Sequence, residues 1–262
     1  MFEKRKLKNC IHYYCYHQRY LNDLISTFNL NNYNYAFVGG FVRWVIDKDT
    51  NPNGPRDFDI IVDIPKEDLE RLLKLYHIKY TKNDFGGFKI PPHPDDTFAN
   101  KEIDVWTLDS HIPFESFVKA YGICKNINKF CSFKNLPKTA FLSIDGATYW
   151  VNKNKLYAKD CKKTLKTKSI YLTDNLCVSY QNIDRKSLVA KLIHYYHEGY
   201  DLNKDCWSLI SAYFAKHDTT KLVRWLDKHY PNSILDWKEF MNERIYPKVQ
   251  ASIFELNKAA GN

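Results

Sequence analysis

Tyr35-Ala36-Phe37-Val38-Gly39-Gly40-Phe41-Val42-Arg43 and, further on, Asp57-Phe58-Asp59-Ile60-Ile61-Val62-Asp63 decide how this chain folds. The first stretch opens as a short apolar run stopped by two glycines, which predicts a buried strand entering a tight turn. Beyond the glycines, Phe41, Val42, Val45 and Ile46 recur at helical spacing. The second stretch is β-branched and aromatic, and predicts a strand. Between them, residues 47–55 (DKDTNPNGP) are turn formers and predict a loop.

Working outward, residues 20–28 (YLNDLISTF) carry apolar spacing compatible with a helix, and Pro65 opens another that runs to residue 76. Strands are expected at 85–90 and 103–108, separated by the turn-rich PPHPDDTFANK. After these, 114–121 has a helical pattern, and 141–149 and 155–158 flank an Asn-containing turn. Helical patterns return at 184–200, 207–215 and 221–229. The expectation is an α+β chain. Residues 1–125 form a small mixed sheet with flanking helices, and residues 126–262 form a mainly helical part with a short strand hairpin.

With 262 residues, 44% hydrophobic and 26% charged, the chain has enough apolar material for a packed core. Its net charge of +9 favours polyanionic partners. Seven cysteines, none in a C-x-x-C pair, point to reduced thiols rather than a disulfide framework or a zinc site. The basic N-terminus (MFEKRKLKNCIHYYCYH) lacks the apolar core of a secretory signal, and no stretch has the length of a membrane span. A soluble, cytoplasmic protein without a membrane partner is expected; oligomeric state is not indicated.

The chemistry concentrates at Asp57-x-Asp59. Side chains two apart on a strand share a face, so the two carboxylates repel unless a cation lies between them. Paired carboxylate oxygens suit Mg²⁺, which serves displacement at phosphorus. Gly39 and Gly40 allow close backbone approach to a triphosphate at a helix N-terminus. Arg43, one turn on, either binds phosphate or pairs with a carboxylate. Asp104, flanked by Ile103 and Val105, is a third acid, with Glu102 on the same face as the fallback. The lysine run at 159–168 (KDCKKTLKTK) either tracks phosphates or is a solvated face. The histidines, His194 and His197 included, are expected to pack or face solvent rather than bind metal.

Phe37-Val38-Gly39-Gly40-Phe41-Val42-Arg43 followed by Arg56-Asp57-Phe58-Asp59-Ile60 resembles the head of bacterial-type tRNA nucleotidyltransferases and poly(A) polymerases. These belong to the DNA polymerase beta superfamily of nucleotidyltransferases. The resemblance is clear over residues 35–108. It also touches Phe85-Gly86-Gly87-Phe88-Lys89-Ile90 and, more loosely, FLSIDGATY at 141–149 and the helix at 184–200. It implies a polymerase-beta-like head with Asp57, Asp59 and Asp104 as catalytic, Mg²⁺-binding acids, and Gly39, Gly40 and Arg43 as nucleotide contacts. The implied reaction adds nucleotide from ATP and/or CTP to an RNA 3′ hydroxyl, releasing pyrophosphate. A protein or small-molecule acceptor, and a catalytically inactive nucleotide- or RNA-binding relative, are the alternatives. Three departures stand out: Trp44 replaces the family's Asp after V-R, Lys138-Thr139 replaces paired arginines, and Ile183-Asp184-Arg185-Lys186-Ser187 is a distant match to the neck motif.

Overall fold

The computed structural model describes residues 2–48, 54–83, 86–96, 101–109, 132–173, 185–230 and 236–251. The chain divides into two compact units, Met1–Leu165 and Lys166–Asn262.

Unit 1 opens with α1 (Phe2–His17) and α2 (Arg19–Leu30), broken apart at Gln18. α1 goes beyond the sequence expectation, which begins its helices at residue 20. Leu7, Ile11 and Tyr14 are its buried residues, at i, i+4 and i+7, and this narrow stripe is its hold on the core. β1 (Tyr35–Val38) runs into α3 (Gly39–Ile46) through Gly39, which adopts φ +62°. β2 (Asp57–Val62) and α4 (Lys66–Leu75, capped by Pro65) follow. Then come β3 (Thr81–Lys82), β4 (Phe88–Ile90) and β5 (Glu102–Thr107). A 3₁₀ turn at Ser143–Asp145 precedes β6 (Thr148–Trp150), β7 (Lys155–Tyr157) and α5 (Lys159–Thr167).

The sheet has seven strands in the order β3-β4-β5-β2-β1-β6-β7. β2 and β5 are parallel, and the other neighbours are antiparallel. One face is largely apolar. Tyr35, Phe37, Phe58, Ile60, Val62, Ile103, Val105 and Tyr149 are all buried. Against it pack Tyr14 of α1 (ring centroid 5.0 Å from Phe58), Phe28 of α2 (5.4 Å from Tyr35) and Phe41 of α3 (5.0 Å from Phe37). The other face is split along the strands. Its far half carries Ala36, Ile61 and Leu108 under Phe133 and Leu136, with Trp106 and Trp150 alongside. Its near half carries the acids.

One expectation is revised. The hairpin β6–β7, assigned from sequence to the helical part, extends the unit 1 sheet because β6 pairs with β1 through Ala36↔Trp150, Phe37↔Tyr149 and Val38↔Thr148. Residues 159–167 form a helix whose Cys161, Thr164 and Leu165 are buried, while Lys159, Lys163 and Lys166 lie on its exposed side, as the solvated-face reading has it. The expected helix at 114–121 lies outside the described residues, as does Phe85.

Unit 2 is helical. α6 (Arg185–His197), α7 (Lys204–Phe214), α8 (Thr220–His229) and α9 (Trp237–Phe240, continued by a π-helical turn at Met241–Ile245) supply its core. Ile193, Ile210, Leu226 and Trp237 are buried. A short parallel pair, β8 (Ser169–Ile170) with β9 (Asp201–Leu202), completes it. His194 stacks on Tyr230 at 3.7 Å, and His197 lies 5.0 Å from the Trp237 ring, so both rings are packing elements. Among the described residues, Cys10, Cys15, Cys161 and Cys206 are free thiols, and no helix is long and apolar enough to cross a membrane.

Candidate active site

Strand alternation builds the site. Phe58 and Ile60 turn into the core, so Asp57 and Asp59 turn to the opposite face. Because β2 and β5 are parallel and in register, Asp59 lies beside Asp104 and Asp57 beside Glu102. Four carboxylates therefore share one face of two adjacent strands. Isolated in that position they would repel, and cations from neighbouring elements offset part of the charge.

Arg56 donates to Asp57 Oδ2 through Nε (2.9 Å) and Nη2 (2.7 Å). Lys89, opposite Asp104 on β4, donates from Nζ to Asp104 Oδ2 (3.1 Å) and Glu102 Oε2 (3.0 Å). Partial burial pulls the Lys89 ammonium down, but its hydrogen bonds to Glu102 and Asp104 outweigh this and leave it raised. Asn83 Nδ2 reaches Asp104 Oδ1 at 3.4 Å. Its own side-chain oxygen accepts from the Gly87 N–H at 2.8 Å, which ties the β3–β4 turn to the acid.

The Gly-Gly turn closes the other side. A Cβ on Gly39 would come within 3.1 Å of Asp59 Oδ2, and its φ of +62° disfavours any side chain. Its N–H donates to Ala147 O at 2.9 Å, so this backbone donor is already used within the fold. Gly40 differs. A Cβ there would meet Asp57 Oδ1 at 3.9 Å and Arg43 Nη2 at 3.8 Å, both ordinary contacts. A methyl would thus fit at Gly40, in the first turn of α3, where helix N–H groups lack intrahelical partners. Arg43 lies beside that position with its guanidinium bonded to Asp145. Both side chains of this pair are about four-fifths shielded from solvent.

The six residues singled out from sequence thus gather where β1 ends at α3 and where β2 and β5 begin. Sequence reasoning missed Lys89, Asn83, Arg56 and Asp145. Of these, Lys89 had a signal: a lone cation between Phe88 and Ile90 on a strand must face away from the core. Asp145 had none, because its pairing with Arg43 spans a hundred residues.

Asp57 and Asp59, with oxygens beside one glycine turn, are the donor chemistry that Mg²⁺ takes. Asp104 is engaged by Lys89, and among the described residues no three His, Cys, Asp or Glu side chains gather into a ready-made metal cluster. The pair fits a divalent ion; a closed three-acid cage is not formed.

Most of the backbone resembles solved enzymes. The Thermotoga maritima CCA-adding enzyme complexed with tRNA matches 91% of this chain and 51% of its own, at 17% identity and TM-score 0.55. A CCA-adding enzyme in an apo form matches 88% and 52%, at 16% identity and TM-score 0.56. Another, solved with CTP, matches 82% and 48%, at 16% identity and TM-score 0.54. The fold is that of the CCA-adding nucleotidyltransferases. The chain spans about half the length of these structures. No protein-family model and no curated protein sequence matches it. Within the CCA-adding fold, the acid face and the Gly-Gly turn of this chain are carried by its own β2, β5 and α3.

Proposed function

We propose that the chain is a nucleotidyltransferase that moves a nucleotide from ATP and/or CTP to an RNA 3′ hydroxyl. The observation that carries this reading is the alignment of Asp57 and Asp59 with Asp104 on adjacent parallel strands, at the Gly39-Gly40 turn. The CCA-adding fold and the net charge of +9 support an RNA acceptor.

In this mechanism the acceptor oxygen forms a bond to the α-phosphorus, and the bond from that phosphorus to the β-phosphate bridging oxygen breaks. Pyrophosphate leaves with that electron pair, and no covalent enzyme intermediate is needed. Asp57 and Asp59 are the residues that would hold Mg²⁺. Bound there, the ion would neutralise triphosphate charge and stabilise the displacement at phosphorus. Gly40 leaves space for the triphosphate at the α3 N-terminus, and Asp145 orients Arg43 toward it. Gly39 shapes the turn. Asp104, on the strand beyond Asp59, receives the acceptor hydroxyl and its proton, with Lys89 and Asn83 fixing its orientation.

Incubation with labelled ATP or CTP, Mg²⁺ and bulk RNA tests the proposal. Label in elongated RNA is expected, and Asp59→Ala should lose it while staying folded. Label on protein or a small molecule would redirect the acceptor assignment. Full activity of the Asp59→Ala variant would end the site assignment.

A further inference from the structure

α1 lies on the sheet face opposite the acids, since its Tyr14 packs on Phe58. Its buried stripe is Leu7, Ile11 and Tyr14, which leaves the other side of the helix to solvent. Helical spacing lines up Phe2, Arg5, Lys8, Asn9, His12 and Tyr16 along that outer side, all exposed. Phe2 is 71% exposed, Tyr16 86% and the adjacent Tyr13 45%. Exposed aromatics at this density on a surface helix ask for an explanation, since burial of such rings is the usual outcome.

The charge on this helix is one-sided. Residues 2–17 hold Lys4, Arg5, Lys6 and Lys8 against a single acid, Glu3. Glu3 is already taken by Lys162 of α5, Nζ to Oε2 at 2.6 Å. The outer side of α1 therefore carries two exposed cations, Arg5 and Lys8, and flat rings, with no carboxylate of its own until its far end, where Tyr16 lines a pocket shared with Asp95 and Asp96. Past Tyr16 the surface turns acidic at Asp95 and Asp96, where Arg19 is drawn in: its guanidinium lies 3.8 Å from Asp95, and its backbone N–H donates to Asp96 Oδ1 at 3.1 Å. This sets an end to the basic stretch.

We propose that the outer face of α1, through Arg5, Lys8, His12 and Tyr16, is a docking track for single-stranded RNA, separate from the acid face. Cations spaced along a groove or ridge take phosphates, and exposed rings take bases without regard to sequence. From Arg5 to Tyr16 the helix rises about 16 Å, room for a few nucleotides. An anionic membrane is the rival partner for a basic helix. It is disfavoured because the apolar stripe a membrane would need is spent on the protein core. The inference rests on the RNA-acceptor reading and deepens it: the track holds the body of a long acceptor, while its 3′ end is handled on the other side of the sheet.

The test uses the full chain and a 5′-fluorescent single-stranded RNA of about 20 nucleotides, a length above the handful the track spans. Affinity is measured across a salt series, alongside elongation of that RNA and of a very short acceptor. Neutralising two phosphate contacts in Arg5→Gln/Lys8→Gln should flatten the plot of log affinity against log salt by about 1.4. Tyr16→Ala should weaken binding by about fivefold or more without changing the slope. Both should raise KM for the long RNA and leave the short acceptor unaffected. If the wild type elongates RNA but neither variant alters affinity or slope, the track is overturned and the acceptor reading stands. If the wild type binds labelled ATP but neither binds nor elongates RNA, the acceptor reading falls and takes the track with it. Binding of α1 to phosphatidylserine vesicles that excludes RNA would also overturn the track.

Discussion

The two faces of the unit 1 sheet come from the same strands and do opposite work. On β2, Phe58 and Ile60 are wholly buried, Phe58 under aromatic rings of α1 and α3, whereas Asp57 and Asp59, on either side of Phe58, stand on a face crossed by cations and glycine. The difference teaches that the site is inexpensive to place and costly to hold. Period-two alternation delivers the acids, but only the packed reverse face keeps three strands aligned closely enough for them to act together.

The sharpest way to break this comparison is to strike the packed face. Phe58→Ala should cost about 3–5 kcal/mol of stability, the usual penalty for emptying a core aromatic site, read by chemical denaturation. Loss of transfer would follow from unfolding, and retained stability would mean that the reverse face does not organise the acids. Asp59→Ala tests the other face. It should lower transfer by at least about 100-fold, the scale of losing a principal electrostatic contact, while the denaturation midpoint stays near wild type.

Smaller effects separate the two glycines. Gly39→Ala should destabilise by about 1–2 kcal/mol, because its left-handed backbone tolerates a side chain poorly. Gly40→Ala should change stability by less than about 0.5 kcal/mol, since a Cβ there makes only ordinary contacts, yet weaken nucleotide binding measured by equilibrium dialysis, because the methyl would crowd the proposed triphosphate position. Equal losses of stability in both variants would erase the distinction. The least effect is expected at Lys89. Lys89→Met removes the partner of Asp104, and divalent-ion affinity measured calorimetrically with Mn²⁺ should rise about two- to fivefold, the worth of a half-exposed ion pair. A fall would mean that Lys89 supports the ion site instead of competing for Asp104.

Much of this is legible in the sequence alone. The strand, Gly-Gly turn and helix at 35–46, the strand at 57–62 and the strand at 102–107 all follow from local signals: alternation, glycine and helical spacing. α1 was not legible because three buried positions in sixteen residues make a weak periodic signal among many cations. The hairpin at 148–157 looked like part of a separate segment because nothing local records that Tyr149 pairs with Phe37.

The sequence by itself determined that Asp57 and Asp59 share a face, that Gly39 and Gly40 turn the chain beside them, and that the molecule is basic, since each is a property of residues a few positions apart or of composition. Tertiary structure alone decided that Asp104 lies next to Asp59 and is claimed by Lys89, that Arg43 is claimed by Asp145, and that the rings of α1's outer stripe remain in solvent. Those outcomes depend on strand register and helix docking. Both are set by the whole apolar face packing at once, and no local pattern encodes that sum.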